Sequence, residues 1–352
     1  MQETERTTAR VAVLGAGGLG KAAARLIGLK RELTLAAVCD SRGVVSSSEG
    51  LAAEPFLSIS GDLVEGYRQF QQANGAGEEQ GGVATATAIE AAHCDDPIGA
   101  VLEMADSLDA VLIALPNLPN EFIPNVVRRF ADASASLVFV DVLKRTRAVQ
   151  QMLALDAEVK RARSVVLSGC GATPGTLAAA AVLAAQSFVE VEKVDIWWGV
   201  GIANWEAYKA TIREDIAHLP GYSVERAKAM TDVEVDELLA RTNGLLELRH
   251  MEHADDVLLQ RVGVVDRLEQ VEVGGVMDTR HPKKPVSTTM TLTGITLDGK
   301  RSSHKFILGD ETTMAANVIG PALGYLKRGL WLKARGLFGV FGCTDFLPMV
   351  VR

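Results

Sequence analysis

The sequence predicts an α/β fold, a doubly wound parallel sheet followed by a second α+β domain built on an antiparallel sheet. Three observations predict it. A short strand at residues 10–15 runs directly into the glycine-rich turn Gly15-Ala-Gly-Gly-Leu-Gly20. From there, short apolar runs alternate with helical patterns, as stacked βαβ units require. Near residue 190 the pattern changes to extended runs. The last two of these are joined by Leu297-Asp-Gly-Lys300, whose Asp-Gly pair favours a hairpin.

The elements follow in order. An Ala- and Leu-rich helix is expected at 21–30 and a second strand at 33–40, ending on Asp40. That βαβ unit has the size of a nucleotide-binding half. Residues 43–92 are less regular, and the Gln-, Gly- and Glu-rich stretch 69–82 is expected to be an exposed, mobile loop within an insertion. Helices are then expected at 97–105, within 120–133 and at 147–163, with strands at 109–115, 137–143 and 165–168. Beyond residue 190, runs at 194–200, 246–251, 270–276, 287–295 and 302–308 are expected to be antiparallel strands, with a helical stretch at 223–241. A long helix at 312–335 should return to the first domain. The expected boundaries are 1–188 for dinucleotide binding, 189–310 for substrate and 311–352 for the returning helix.

Composition narrows the function. The 352-residue chain is 48% hydrophobic and carries a net charge of −8. That supports a sizeable core and argues against a nucleic-acid face, which needs clustered Lys and Arg. Residues 1–9 lack the apolar segment of a secretory signal, and the apolar stretch 176–185 is too short to span a bilayer. A cytoplasmic protein without membrane or nucleic-acid partners is expected. Its four cysteines, Cys39, Cys94, Cys170 and Cys343, have no metal or disulfide spacing. His250 and His253 flank Glu252 on an extended segment and would face opposite ways, so no metal site is expected.

Gly15, Gly17 and Gly20 match G-x-G-x-x-G between a strand and a helix, with an acid twenty residues on. That context points to a nicotinamide dinucleotide. The first glycine permits the turn, and the second, with Gly18 and Leu19 beside it, lets backbone approach a pyrophosphate at the helix N-terminus. Asp40 suits the ribose hydroxyls of NAD, whereas Arg42, after Ser41, suits the 2′-phosphate of NADP. Use of both, NAD(P)H and NAD(P)+, is therefore expected. Leu115 and Pro116, and Cys170 and Gly171 of the turn Gly169-Cys-Gly-Ala-Thr-Pro-Gly175, are expected on the same sheet edge, lining the cofactor.

Lys144 closes the run Leu137-Val-Phe-Val-Asp-Val-Leu143. At the carboxyl end of a buried strand it would face the cofactor, where a dry pocket favours a neutral amine. Such an amine can transfer a proton or form an imine. Asp141, three residues upstream, would point to the opposite face by strand alternation and serve in packing. The basic loop Arg280-His-Pro-Lys-Lys284 can hold a carboxylate or bicarbonate. Asp310-Glu-Thr-Thr313 has the pattern of a helix N-cap.

Two resemblances bear on this choice. The segment Val38-Cys-Asp-Ser-Arg-Gly-Val-Val45 is similar to the second strand of homoserine dehydrogenases, and the Gly-Ala-Thr-Pro-Gly turn to saccharopine-dehydrogenase-like reductases. Over most of the chain, Val273-Gly-Gly-Val-Met-Asp-Thr279, Lys284-Pro-Val-Ser287, Gly309-Asp-Glu-Thr-Thr-Met-Ala-Ala-Asn317 and Gly320-Pro-Ala-Leu-Gly-Tyr325 resemble the single-turnover (S)-8-amino-7-oxononanoate synthases of biotin synthesis, the BioU type. That resemblance implies Lys144 as the reacting amine, 8-amino-7-oxononanoate and CO2 or bicarbonate as partners, and a protein left with an allysine after one turnover. A homo-oligomer is compatible with it. The alternatives are a multi-turnover amino-acid dehydrogenase with Lys144 as acid/base, or a cofactor-binding regulator.

Overall fold

A computed structural model describes residues 8–75, 89–116, 119–202, 205–209, 212–309 and 313–352. The chain divides into two units. The first comprises residues 1–143, 147–175 and 318–352, and the second residues 144–146 and 176–317.

The first unit starts with β1 (Ala9–Leu14), α1 (Gly18–Gly28), β2 (Leu33–Cys39) and β3 (Gly43–Ser47). It continues through α2 (Pro55–Ser58), α3 (Leu63–Gly75), β4 (Ile89–His93), α4 (Pro97–Glu103), β5 (Ala110–Ile113) and α5 (Phe122–Asp132). Then come β6 (Val138–Asp141), α6 (Thr146–Leu153), α7 (Asp156–Arg161) and β7 (Val165–Ser168). The second unit holds α8 (Thr176–Ala185), β8 (Phe188–Gly201), α9 (Trp205–Tyr208), α10 (Ile212–Ile216), α11 (Val224–Ala229), α12 (Asp232–Arg241) and β9 (Leu245–Leu248). Its remaining elements are α13 (Asp255–Arg261), β10 (Val271–Asp278), β11 (Thr288–Thr296) and β12 (Arg301–Leu308). The chain ends with α14 (Met314–Lys333) and β13 (Gly339–Gly342), which adds to the first unit's sheet.

The first sheet runs β13-β7-β6-β5-β1-β2-β3-β4. Its β13 to β2 portion is parallel, as expected, with β3 and β4 added antiparallel at the edge. The central strands are continuous apolar runs, Val11 to Leu14 and Ala110 to Ile113 being almost fully buried. That pattern belongs to a sheet covered on both faces. Phe130 of α5 meets Phe139 of β6 edge-on, with ring centroids 5.3 Å apart. Burial of each such side chain contributes roughly 1.5–3 kcal/mol.

The second sheet runs β12-β11-β8-β10-β9. Its strands are not all antiparallel, as the sequence pattern suggested: β10 pairs with β8 in parallel. Helices α9 to α13 lie between β8 and β10 in sequence, and so long an intervening chain can return the strand in the same direction. Several other expectations change. The stretch 43–92 holds β3, α2, α3 and β4, and residues 69–75 are helical. Leu63, Val64 and Tyr67 of α3 bury a face that the Gln-rich composition hid, while 76–88 lie outside the described residues. The helix expected at 147–163 is two helices, and so is that at 223–241. The boundary expected at 188 falls at 175, because α8 packs on β8 and β11.

Candidate active site

The glycine turn sits where β1, β2 and β5 end together. Gly15 adopts φ +109°, which favours glycine, and its amide donates to the Cys39 carbonyl at 2.9 Å. A methyl on Gly15 would strike the Ala114 carbonyl, and one on Gly20 would strike the Gly15 carbonyl. Those two glycines hold the turn against the sheet and bring it beside Leu115. Gly17 and Gly18 differ, because a methyl on either would meet nothing within 4 Å. They are exposed at the start of α1, whose N-cap Gly17 supplies no side-chain cap. Open space before uncapped helical amides suits a phosphate, so these residues fit a dinucleotide. Leu19 is half-buried behind them, and Pro116 is exposed beyond β5.

Asp40 braces its own loop. Its Oδ1 accepts from the amides of Arg42 at 2.7 Å and Gly43 at 3.1 Å, and its Oδ2 from Leu63 at 3.2 Å. Ser41 and Arg42 are exposed, and Arg42 pairs with Asp62 at 3.3 Å. The Glu65 amide, with His93 and Arg42, holds the Asp62 carboxyl down at about 2. Since Asp40 supports backbone, Arg42 gives the cleaner test of cofactor choice. Arg42→Ala is expected to weaken NADP binding roughly tenfold and leave NAD binding nearly unchanged, on the scale of one charged hydrogen bond. Asp40→Ala should weaken NAD more than NADP, with some loss for both. Calorimetric titration of each cofactor distinguishes these outcomes, and equal losses in Arg42→Ala would remove the phosphate role.

Cys170 and Gly171 follow β7. Cys170 is fully buried, and burial raises its thiol well above the ordinary range. A thiol held neutral in this way is neither a nucleophile nor a lining side chain; only its backbone could serve a ligand. Its amide donates to the Asp141 carbonyl at 2.9 Å. Asp141 itself is buried, and its Oδ1 accepts from Gly169 at 2.8 Å and Leu143 at 3.0 Å. Its Oδ2 has no hydrogen-bond partner among the described residues, and Ser168 acts on it only as a nearby hydroxyl.

Burial pushes the Asp141 carboxyl up to about 6 from 3.8. Because the folded value exceeds the unfolded one, the folded chain binds more protons in that window. This stability contribution is complete below about pH 4 and is lost as pH rises through about 6. Asp141→Asn keeps the acceptor oxygen and removes the charge. It should be more stable than wild type at pH 8, on the order of 2–3 kcal/mol, with no gain at pH 4. Thermal unfolding at the two pH values measures the difference; an equal effect at both would mean the carboxyl is not held neutral.

Lys144 does not end a strand. β6 stops at Asp141, so strand alternation does not extend to Lys144, and residues 144–146 belong to the second unit. There the Lys144 carbonyl accepts from the Ala254 amide at 2.8 Å, and the Thr146 hydroxyl donates to Asp256 at 3.1 Å. Ala254 lies between His253 and Asp255, a buried pair with Nδ1 to Oδ2 at 2.7 Å. Among the described residues no group of three His, Cys, Asp or Glu could hold a metal. Asp215 of α10 is buried and accepts from the Tyr208 hydroxyl at 2.7 Å. Its carboxyl is raised by burial and drawn back chiefly by the Lys144 charge. Burial lowers His218, which also lies in the fields of Asp215, Lys144, Glu252 and His253.

Tyr208, Asp215, His218 and the His253–Asp255 pair were not singled out as site residues from sequence. Their one signal was the i,i+3 spacing of Asp215 on α10 and His218 in the turn that follows it. The basic loop is partly engaged: Arg280 bonds Asn243, and Lys284 reaches the Gly309 carbonyl at 3.2 Å. Residues 310–312 lie outside the described residues, and Thr313 caps α14 by accepting from Ala316 at 3.1 Å.

This parallel sheet with its glycine turn, and a second unit carrying a set of ionisable side chains, define an enzyme with an NAD(P)-dependent oxidoreductase-type fold. The chain belongs to the (S)-8-amino-7-oxononanoate synthase (BioU) family. It is 43% identical over 346 residues to that synthase from Haloferax mediterranei, covering 96% of this chain and 98% of the relative. No family model matches. Among solved structures, it resembles apo saccharopine dehydrogenase (L-Glu forming) from Saccharomyces cerevisiae, with a TM-score of 0.55 and 14% identity over 96% of this chain and 94% of that one. It also resembles C. glutamicum DAP dehydrogenase in complex with DAP, with a TM-score of 0.52 and 16% identity over the same shares. These two likenesses concern the fold. Among the described residues no helix is long and apolar enough to cross a membrane.

Proposed function

We propose that this protein acts in biotin synthesis, converting 8-amino-7-oxononanoate to the carbamate of the diamine, with Lys144 as the amino donor. The observation that carries this reading is the 43% identity along nearly the whole of a curated synthase. The lysine among ionisable partners in the second unit adds chemical support. A nicotinamide cofactor held by Gly15, Gly17, Gly18 and Gly20 would supply a hydride and later take one back.

The chain's own part rests on one nitrogen. The neutral Lys144 amine attacks the ketone carbon of the substrate and expels water, giving an imine. After reduction the substrate is tethered through a secondary amine. Its own free amine then takes up CO2 as a carbamate, releasing a proton. Removal of hydride from the lysine ε-carbon moves the double bond to the protein side. Water cleaves that bond, leaving the lysine nitrogen on the product and an aldehyde on the protein. The enzyme is spent after one turn.

The test is product counting. Purified protein, NADPH, the keto-amine and bicarbonate should give at most one product per chain. Many products per chain would instead assign an ordinary amino-acid dehydrogenase with Lys144 as acid/base.

A further inference from the structure

Just beyond β2 the chain turns back, and β3 and β4 join the sheet antiparallel. Gly43 of β3 pairs with His93 of β4, and the Cys94 amide donates to the Arg42 carbonyl at 3.0 Å. A methyl on Gly43 would strike the Ala92 carbonyl, so glycine lets β4 close on this corner. Asp62 follows Gly61, whose φ of +83° favours glycine, and its Oδ1 caps α3 by accepting from the Glu65 amide at 2.9 Å. Three separate stretches of chain meet there. Arg42 donates to Asp62 Oδ2 at 3.3 Å, and His93 Nε2 lies 3.0 and 3.1 Å from the two carboxylate oxygens.

The cluster borders the glycine turn. A narrow cleft is lined by Ala16 and Gly20 of that turn, by Val38, and by Gly61 and Leu63 on either side of Asp62. Asp40 braces the same corner, its carboxylate accepting from the amides of Arg42, Gly43 and Leu63. Two other nearby cations are turned to backbone: Lys21 donates to the Ile59 carbonyl, and Arg68 to the Ala91 carbonyl at 2.7 Å. Arg42 and His93 instead share one carboxylate and remain exposed. A carboxylate bridging two such donors takes the place that phosphate oxygens would take.

We infer that Asp62 decides between NAD and NADP: it occupies Arg42 and His93 as an internal carboxylate, which NAD leaves in place and the 2′-phosphate of NADP must displace. Its role rests on the glycine turn being a dinucleotide site, and on no step of the Lys144 chemistry. The uncharged 2′-hydroxyl of NAD can lie beside the carboxylates of Asp40 and Asp62. A 2′-phosphate brings further negative charge toward both, and like charges brought together cost affinity. It recovers that cost only through the two donors that Asp62 gives up. His93 is then a second phosphate ligand, supplied by β4 rather than by the loop after β2.

The test compares the two cofactors on the full chain. They differ only in the phosphate, so a general loss of structure moves both Kd values alike and leaves their ratio unchanged. Calorimetric titration gives that ratio for wild type, Asp62→Asn and His93→Ala. The asparagine keeps an oxygen to cap α3 and removes the charge; Asp62→Ser, also a capping residue, repeats the test should the first variant unfold early. The ratio in Asp62→Asn should move roughly tenfold toward NADP, about 1.4 kcal/mol. That move should shrink at high salt, as an exposed charge effect must. In His93→Ala the ratio should move roughly threefold toward NAD, the scale of an exposed charged pair. An unmoved ratio in either variant, with both cofactors binding, overturns the assignment. If neither cofactor binds wild type, the dinucleotide site itself is wrong and the role of Asp62 falls with it.

Discussion

Lys144→Arg is expected to form no covalent adduct and no product, while still binding the nicotinamide cofactor. Guanidinium keeps the positive charge and much of the bulk, but it does not deprotonate and cannot attack a ketone. The half-buried position of Lys144 tolerates the change in shape. Wild type, incubated with NADPH and the keto-amine, should first gain the mass of a reduced adduct. With bicarbonate it should then settle about one dalton below its starting mass, the difference between a lysine amine and an aldehyde. Intact-protein mass spectrometry reads both stages. Wild type that returns to its original mass after forming product would sink the donor role, and product from Lys144→Arg would do so more directly.

The second large effect separates two kinds of glycine in one turn. Gly20→Ala should cost stability and cofactor binding together, because the new methyl would land on the Gly15 carbonyl, and backbone there has little room to yield. Forced overpacking of this kind costs about 1–3 kcal/mol. Gly17→Ala should leave the unfolding temperature almost unchanged, since a methyl there meets nothing in the protein. It should still weaken NADPH binding roughly tenfold or more, about 1.4 kcal/mol, by filling space meant for the pyrophosphate. Unfolding curves and cofactor titrations on the two variants make the comparison. If Gly17→Ala binds NADPH as wild type does, the anion lies elsewhere.

The contrast between these glycines shows how far sequence reasoning reaches. G-x-G-x-x-G was legible because turn, helix and sheet must meet within six residues, a local constraint. Which glycine serves packing and which leaves open space is set by the folded turn: Gly20 meets the Gly15 carbonyl, and Gly15 in turn meets Ala114, about a hundred residues away. Asp40 was legible as the acid just after β2, but its three backbone hydrogen bonds were not, since Leu63 comes from a helix that the Gln-rich composition concealed. Strand β13, four residues with glycine at each end, carries too little pattern to stand out, and only pairing with β7 makes it a strand.

By itself, the sequence determined the parallel sheet and the glycine turn, because each depends on neighbours a few positions apart: periodicity and turn chemistry. It singled out Lys144 as the end of a strand, which in the structure stops at Asp141. Tertiary structure alone decided the surroundings of that lysine. β6 ends at Asp141, and the Ala254 amide ties the Lys144 carbonyl into the second unit. Asp215, bonded by the Tyr208 hydroxyl, comes within its field from about seventy residues away. No local pattern encodes which distant carboxylate will share the interior with a given amine. The packing of Ile212 and Ile216 places Asp215, and the Tyr208 hydroxyl offsets the cost of burying its carboxyl.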